Sequence, residues 1–291
     1  MKIGIMTDSS AYLTPAQIKK HHIKVLPLTI LWGAQTYYDM KTIGFEEFYD
    51  KLATAKVLPT TSQPSIGTVQ KASDEFVEQG YTDVLLFTLS SGISGFYNSV
   101  CAYAKQETRL SIHPVDAKIT CAGLASQVLL AARLAEAGAS VAEIIAKTDD
   151  LRSTTRVRFM VEDLGHLKRT GRLSNAASFI GGVLRIKPIL DIHIQGDGKI
   201  VAIAKERQTK RALRHIINDV AKDVAAHDYP IQASIFHADD PASEEKWCQA
   251  FKAALPDLRY EKSIVGPAIG VHVGQHCMSI IWSKDINSYF K

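Results

Sequence analysis

"DVLLFTLSSGISGFYNSV" occupies residues 83–100, and its reading decides the fold. Residues 83–89 form an almost continuous apolar run, the pattern of a strand buried on both faces of a parallel sheet. The run empties into the loop "SSGISG" (90–95), and "FYNSVCAYAKQE" (96–107) then continues with a helix. Strand, short loop and helix make half of a βαβ unit. Loops that leave the carboxyl ends of such strands face the crevice where ligands bind in open α/β sheets.

Working outward, the same alternation recurs. "KIGIM" (2–6) is a short apolar run, and "LTPAQIKKHH" (13–22) opens a helix with Thr14 as N-cap and Pro15 in the first turn. "IKVLPLTILW" (23–32) reads as one strand, an edge or bulged one because Pro27 cannot donate to a ladder. Phe45, Phe48, Tyr49 and Leu52 share one face of a helix over 45–54, and "GTVQKASDEFVEQ" (67–79) gives another that Gly80 stops. A long helix spans 119–137, and Ser140 with Glu143 forms a capping box for a helix over 141–153.

From about residue 156 the pattern changes. "RVRFMV" (156–161) is a strand, 162–184 reads as helix, basic turn and helix, and 187–207 is a hairpin turning at Gly196-Asp197-Gly198. A helix (209–226), a strand (231–237), a helix (241–254) and strands near 258–265 and 277–282 follow. The expected fold is therefore α/β in two domains. Residues 1–155 form a doubly wound parallel sheet, and residues 156–291 a mixed α/β layer.

Composition excludes several function classes. The 291 residues carry 34 basic and 30 acidic side chains, a net +4, without the polybasic stripe that tracks a phosphate backbone, so no nucleic-acid partner is expected. Cys101, Cys121, Cys248 and Cys277 are far apart and make no C-x-x-C pair, so neither a metal knuckle nor a disulfide framework is expected. No apolar run approaches the roughly 20 residues of a membrane span. The start, "MKIGIMTDSS", sets an acid inside what would be a signal core, and a cytoplasmic location is expected.

A second hydroxyl-rich stretch, "TTSQPS" (60–65), precedes the 67–79 helix and, like "SSGISG", contains no charged residue. Each stretch meets a helix N-terminus, whose free N–H groups favour an anion. Thr61, Ser62, Ser91 and Ser94 would add O–H donors, and Gly92 and Gly95 would let the backbone come close. Neither G-x-x-x-x-G-K-[ST] nor G-x-G-x-x-G occurs, so a small carboxylate-like head suits the loops better than a nucleotide phosphate. The purely structural reading is that Ser65 caps a helix and the two glycines make a tight turn.

Ser91 or Ser94 with His272 and Asp8 could be arranged as a serine hydrolase, but "GISGF" (92–96) misses the G-x-S-x-G elbow by one residue. A metal site at His272 and His276 needs a helix, whereas the glycines of "GVHVGQHC" (270–277) point to a strand or loop. His272 as a neutral hydrogen-bonding partner to the head group is the stronger functional reading.

Six motifs, "TDSSAYL" (7–13), "TSQPS" (61–65), "SSGISGFYNS" (90–99), "GRLS" (171–174), "IKPIL" (186–190) and "GPAIGVHVG" (266–274), stand in the order and spacing of the DegV family, which the chain resembles nearly end to end. The resemblance implies a non-catalytic, two-domain protein enclosing one long-chain fatty acid between its halves. It also implies an ATP-dependent fatty acid kinase subunit as the partner that turns the presented carboxylate into acyl phosphate. Thr61 and Ser94, with Ser62 and Gly95 beside them, match the residues that hold the carboxylate, and His272 matches the histidine near the head. Arg172, with Arg169 beside it, matches the region that engages the kinase. No catalytic residue, metal or cofactor is implied; a peripheral membrane contact would serve lipid exchange. The family often continues after its histidine into Gly-Pro-Gly, where this chain reads Gly274-Gln275-His276-Cys277.

Burying about fourteen methylenes at roughly 0.8 kcal/mol each yields on the order of 11 kcal/mol before ordering costs. The tail thus supplies the affinity, and the head needs only oriented dipoles. The expected tunnel wall comprises the first turns of 119–131 and "SFIGGVL" (178–184), and Lys168, Arg169 and Arg172 would steer an acidic partner. Two other functions fit the same residues: a stand-alone serine acyl hydrolase or transferase with Ser94 as nucleophile, and a lipid-sensing regulatory module.

Overall fold

The computed structural model describes residues 2–174 and 186–290. The second helix expected within 162–184, and with it the wall segment 178–184, lies outside the described residues. Three sheets organise the chain. The first is four-stranded and wholly parallel, in the order β2 (Lys24–Leu26), β1 (Ile3–Asp8), β6 (Asp83–Thr88), β7 (Ser111–Asp116). The chain steps one way from β1 to β2 and the other way through β6 to β7, which makes the sheet doubly wound. The strand order reverses between β1 and β6, where a ligand crevice is expected.

Helices α3 (Ile66–Glu78) and α4 (Phe96–Ala104) pack on β2, β6 and β7, while α5 (Cys121–Glu136) packs on β1 and β6 and against α6 (Val141–Thr154). Caps set the helix ends as their sequences dictate. Thr14 and Gln17 close a capping box on α1 (Pro15–Lys20), Ser140 and Glu143 another on α6, and Ser65 Oγ accepts the Thr68 N–H at the start of α3.

Pro27 divides the expected single strand 23–32. Residues 24–26 form the parallel edge β2, whereas β3 (Thr29–Trp32) leaves for a small antiparallel sheet in the order β4 (Gln35–Tyr38), β3, β5 (Thr60–Ser62). The first half of "TTSQPS" is therefore strand β5 rather than loop. It belongs to a different sheet from the strand that feeds "SSGISG", so the two hydroxyl stretches do not leave one common sheet edge. Helix α2 (Phe45–Ala53) buries Phe48, Tyr49 and Leu52.

The third sheet is six-stranded and mixed, in the order β10 (Ile200–Glu206), β9 (Lys187–Ile192), β8 (Arg156–Met160), β13 (Met278–Lys284), β11 (Ile231–His237), β12 (Arg259–Ile264). One face is covered by α8 (Thr209–Ala225) and α9 (Pro241–Ala254), around Trp247, Phe251, Ile235 and Ile280. The other face shares a core with the parallel sheet, α5 and α10 (Pro267–Val273). The short helix α7 (Gly165–Arg169) packs on α10. Residues 270–273, expected as strand or loop, complete α10. Gly270 is there because a Cβ would stand 2.6 Å from Tyr49 Oη, and Gly274 ends the helix with a φ of 73°. Among the described residues no helix is long and apolar enough to cross a membrane.

Candidate functional site

Between the shared faces lies a cavity of about 440 Å³, within the range of roughly 300–1,000 Å³ usual for small-molecule sites. Most of its wall is aliphatic or aromatic. Val157, Phe159, Ile192, Phe236 and Ile281 come from the mixed sheet, and Leu89, Ile119 and Ala268 from the opposite side. The expectation that the start of the 119–131 segment lines a tunnel is met by Ile119, Thr120 and Cys121. Burial pushes the Cys121 thiol up to about 12, so it acts as a neutral wall group.

The polar wall groups include Thr61, Ser62, Gln63, Ser94, Thr120, Arg172, His272 and Ser279, with Gly95 beside Ser94. All five residues expected around a head group thus line one cavity. Arg172 joins them, and Gln63 was not singled out. Arg169 is not among the lining residues; its guanidinium donates to Pro59 O and Val271 O nearby. Ser91 is also absent. Its N–H donates to Asp116, and its hydroxyl accepts from Lys118, which faces it toward a separate depression.

Strand pairing explains why Thr61 points inward. It pairs with Ile30, whose side chain is buried on the same face. Thr61 Oγ1 lies 2.7 Å from His272 Nε2, and His272 Nδ1 is buried with no partner among the described residues. Burial first, and then the nearby Arg172, Arg169 and His166, push the His272 pKa down to about 3, so the ring is neutral at physiological pH. With the proton on Nε2, His272 donates to Thr61 and leaves the Thr61 O–H free to donate into the cavity.

Ser94 is prepared in a comparable way. Its Oγ accepts the Phe96 N–H, which leaves its own proton to give. Its loop is anchored at several points: Leu89 N–H donates to buried Asp8, Ser91 N–H to Asp116, and Arg172 Nε to Ile93 O. The tip of the β9–β10 hairpin also clamps it. Ser90 Oγ donates to Gly198 O, and a Cβ on Gly92 would meet the hairpin backbone at 2.3 Å. The close approach that Gly92 permits is thus to this hairpin.

Asp8, set aside above as the acid of a hydrolase arrangement, and Asp39 both hold backbone in place. Asp39 accepts from Ser9 Oγ and from the Ala268 N–H, pinning the start of α10, and burial raises its pKa to about 7. Asp8 accepts from Ser10 and Leu89, and burial raises it to about 6. The departure at Gln275-His276 builds a turn tied to the β11–α9 connection: Gln275 donates to Asp239, and His276 N–H to Ala238 O. His276 faces Asp240 while His272 faces Thr61, so the two rings do not converge. Among the described residues no group of three or more His, Cys, Asp and Glu is placed to hold a metal.

The comparisons with known proteins agree along nearly the whole chain. A model of the DegV family, described as "Uncharacterised protein, DegV family", matches residues 2–285. "Protein DegV" of Bacillus subtilis (strain 168) is 35% identical over 284 residues, spanning 97% of this chain and 99% of that protein. The crystal structure of DegV, a fatty acid binding protein from Bacillus subtilis, superposes with a TM-score of 0.89 at 33% identity, covering 98% of this chain and 100% of that one. A fatty acid binding DegV family protein from Streptococcus agalactiae gives a TM-score of 0.90 at 31% identity, covering 98% and 99%.

Proposed function

This chain belongs to the DegV family, and on that premise we propose that it binds one long-chain fatty acid and presents its carboxylate to a separate ATP-dependent kinase subunit for acyl phosphate formation. The observation that carries this reading is a mostly apolar cavity with Thr61, Ser94, His272 and Arg172 among its few polar wall groups. The tail lies between the two domains, 1–155 and 156–291, and its burial supplies the binding energy. The carboxylate accepts the free protons of Thr61 and Ser94. Arg172 adds a positive field without having to form the only contact, and Ser62 and Gly95 border the head.

In this reading Arg172 and the exposed Arg169 face the kinase, and the protein works in the cytoplasm with a peripheral membrane contact for lipid exchange. It contributes binding and orientation, with no catalytic group of its own. An acyl-hydrolase reading needs a base on Ser94. The cavity histidine instead bonds Thr61, and a pKa near 3 makes it a poor proton acceptor. A serine-reactive probe should accordingly leave Ser94 unlabelled.

The test is native mass spectrometry of the gently purified protein, with uptake of added fatty acid by delipidated protein. A stoichiometric fatty acid adduct is expected, displaceable by a second fatty acid. Neither bound lipid nor uptake would overturn the reading. Thr61→Ala combined with Ser94→Ala should abolish acyl phosphate formation in a reconstituted kinase assay.

A further inference from the structure

We propose that Gln63 and Ser99 are positioning residues that fix the spacing of the Thr61 and Ser94 hydroxyls, and so give the site its preference for a carboxylate over a neutral head. The inference rests on the fatty-acid reading above. Its basis is topological. Thr61 rides on β5 of the small antiparallel sheet, and Ser94 sits in the loop after β6 of the parallel sheet. No shared ladder sets their separation, yet a carboxylate has a fixed bite and must be met by both donors together.

One tie joins the two segments. Gln63 Nε2 donates to Ser99 Oγ at 2.7 Å, and Ser99 Oγ donates back along α4 to Gly95 O at 3.4 Å. Among the described residues it is the only side-chain hydrogen bond between 60–65 and 90–99. Gln63 is two residues from Thr61, and Gly95 immediately follows Ser94, so the tie joins the two segments next to the two hydroxyls. Gly95 has a φ of −80°, where any residue is comfortable. Its lack of a side chain instead makes room for the glutamine, since a Cβ there would stand 3.2 Å from Gln63 Oε1. The partly buried Gln63 also lines the cavity, so its amide is held where it cannot rotate away without breaking the tie.

The test compares affinities for hexadecanoic acid and hexadecan-1-ol, which share a tail and differ in head, by displacement of a fluorescent fatty acid. Native protein should prefer the acid. Ser99→Ala removes one hydroxyl from a helix that tolerates alanine, so its melting temperature should be unchanged. Both it and Gln63→Ala should reduce the acid-over-alcohol ratio about 3- to 10-fold, the size of one lost hydrogen bond, and with Ser99→Ala, which lies outside the cavity wall, alcohol affinity should stay within about twofold. Ser99→Thr, which keeps the hydroxyl, should restore the ratio. If native protein prefers the acid and Thr61→Ala loses that preference while Ser99→Ala and Gln63→Ala keep it, the positioning role is wrong and the head-group site stands. Equal loss of acid and alcohol binding would likewise overturn it, as ordinary destabilisation. If native protein takes up neither probe, the fatty-acid reading falls and this inference with it.

Discussion

The two faces of the six-stranded sheet are built from alternate residues of the same strands, yet one packs solid and the other bounds a void. On β13, Met278, Ile280 and Trp282 turn toward α8 and α9, while Ser279 and Ile281 turn toward the cavity. Register carries the division across the sheet. Ile281 pairs with Val157, and Ser279 with both Phe159 and Phe236, on the cavity side; Ile280 pairs with Ile235, and Met278 with Met160, on the helix side. In the sequence both faces are simply apolar. Whether an apolar residue fills a core or lines a binding site is decided by what stands opposite it: Trp247 and Phe251 of α9 with Ala212, Ile216 and Val220 of α8 on one side, and a separate sheet on the other.

If that contrast is right, equivalent substitutions should have unequal effects on the two faces. Trp247→Ala, on the solid side, should cost about 3–5 kcal/mol in denaturant unfolding and leave the fatty-acid stoichiometry of the folded fraction intact. Enlarging side chains sharpens the comparison. Ala233→Leu, also on the solid side, should cost about 1–3 kcal/mol through overpacking. Val157→Phe has the cavity to expand into. It should change stability by less than about 1 kcal/mol yet weaken long-chain uptake at least about tenfold, or 1.4 kcal/mol. A Val157→Phe protein as destabilised as Ala233→Leu would mean that the two faces are equally packed.

Much of the fold was legible because strong local signals agreed with the tertiary outcome. The N-cap at Thr14, the capping box at Ser140 and the apolar run 83–89 placed α1, α6 and β6 within a residue or two. Elements were missed where local chemistry and packing diverged. Strand β7 escaped notice because Pro114 interrupts it, which is tolerated on a sheet edge. The small sheet was hidden because β5 is three residues long, too short to display a period of two. Helix α10 looked unlike a helix because Gly270 serves close packing against Tyr49 rather than a turn. At the site, uncharged donors stood out, but Gln63, inside the same "TSQPS" stretch, acquires meaning only when α4 brings Ser99 against it. Arg172 is far in sequence from both hydroxyl segments, and only the fold places it beside Ile93.

A finer comparison lies within α10, whose two ends are held by groups of opposite proton linkage. At its start, Asp39 accepts the Ala268 N–H with a pKa raised by burial from 3.8 to about 7. The folded state therefore holds this proton more tightly. Its contribution to stability is full below pH 3.8 and is lost as pH rises through about 7. At its end, His272 has a pKa lowered by burial from 6.5 to about 3. Here the unfolded state binds the proton more tightly, so stability is full above 6.5 and is lost as pH falls toward 3. Between pH 5 and 7 the two slopes oppose each other and partly cancel, which makes this the smallest effect expected in the native protein. Single substitutions should uncover it. Asn at position 39 keeps an acceptor for Ala268, so Asp39→Asn should leave the histidine slope opposed only by that of Asp8, and the urea midpoint should fall as the pH is lowered from 7 to 6, above the Asp8 pKa of about 6. His272→Gln keeps a donor for Thr61 and should do the reverse, with the midpoint rising over the same interval. Parallel pH profiles for the two variants would show that neither group carries the linkage assigned to it.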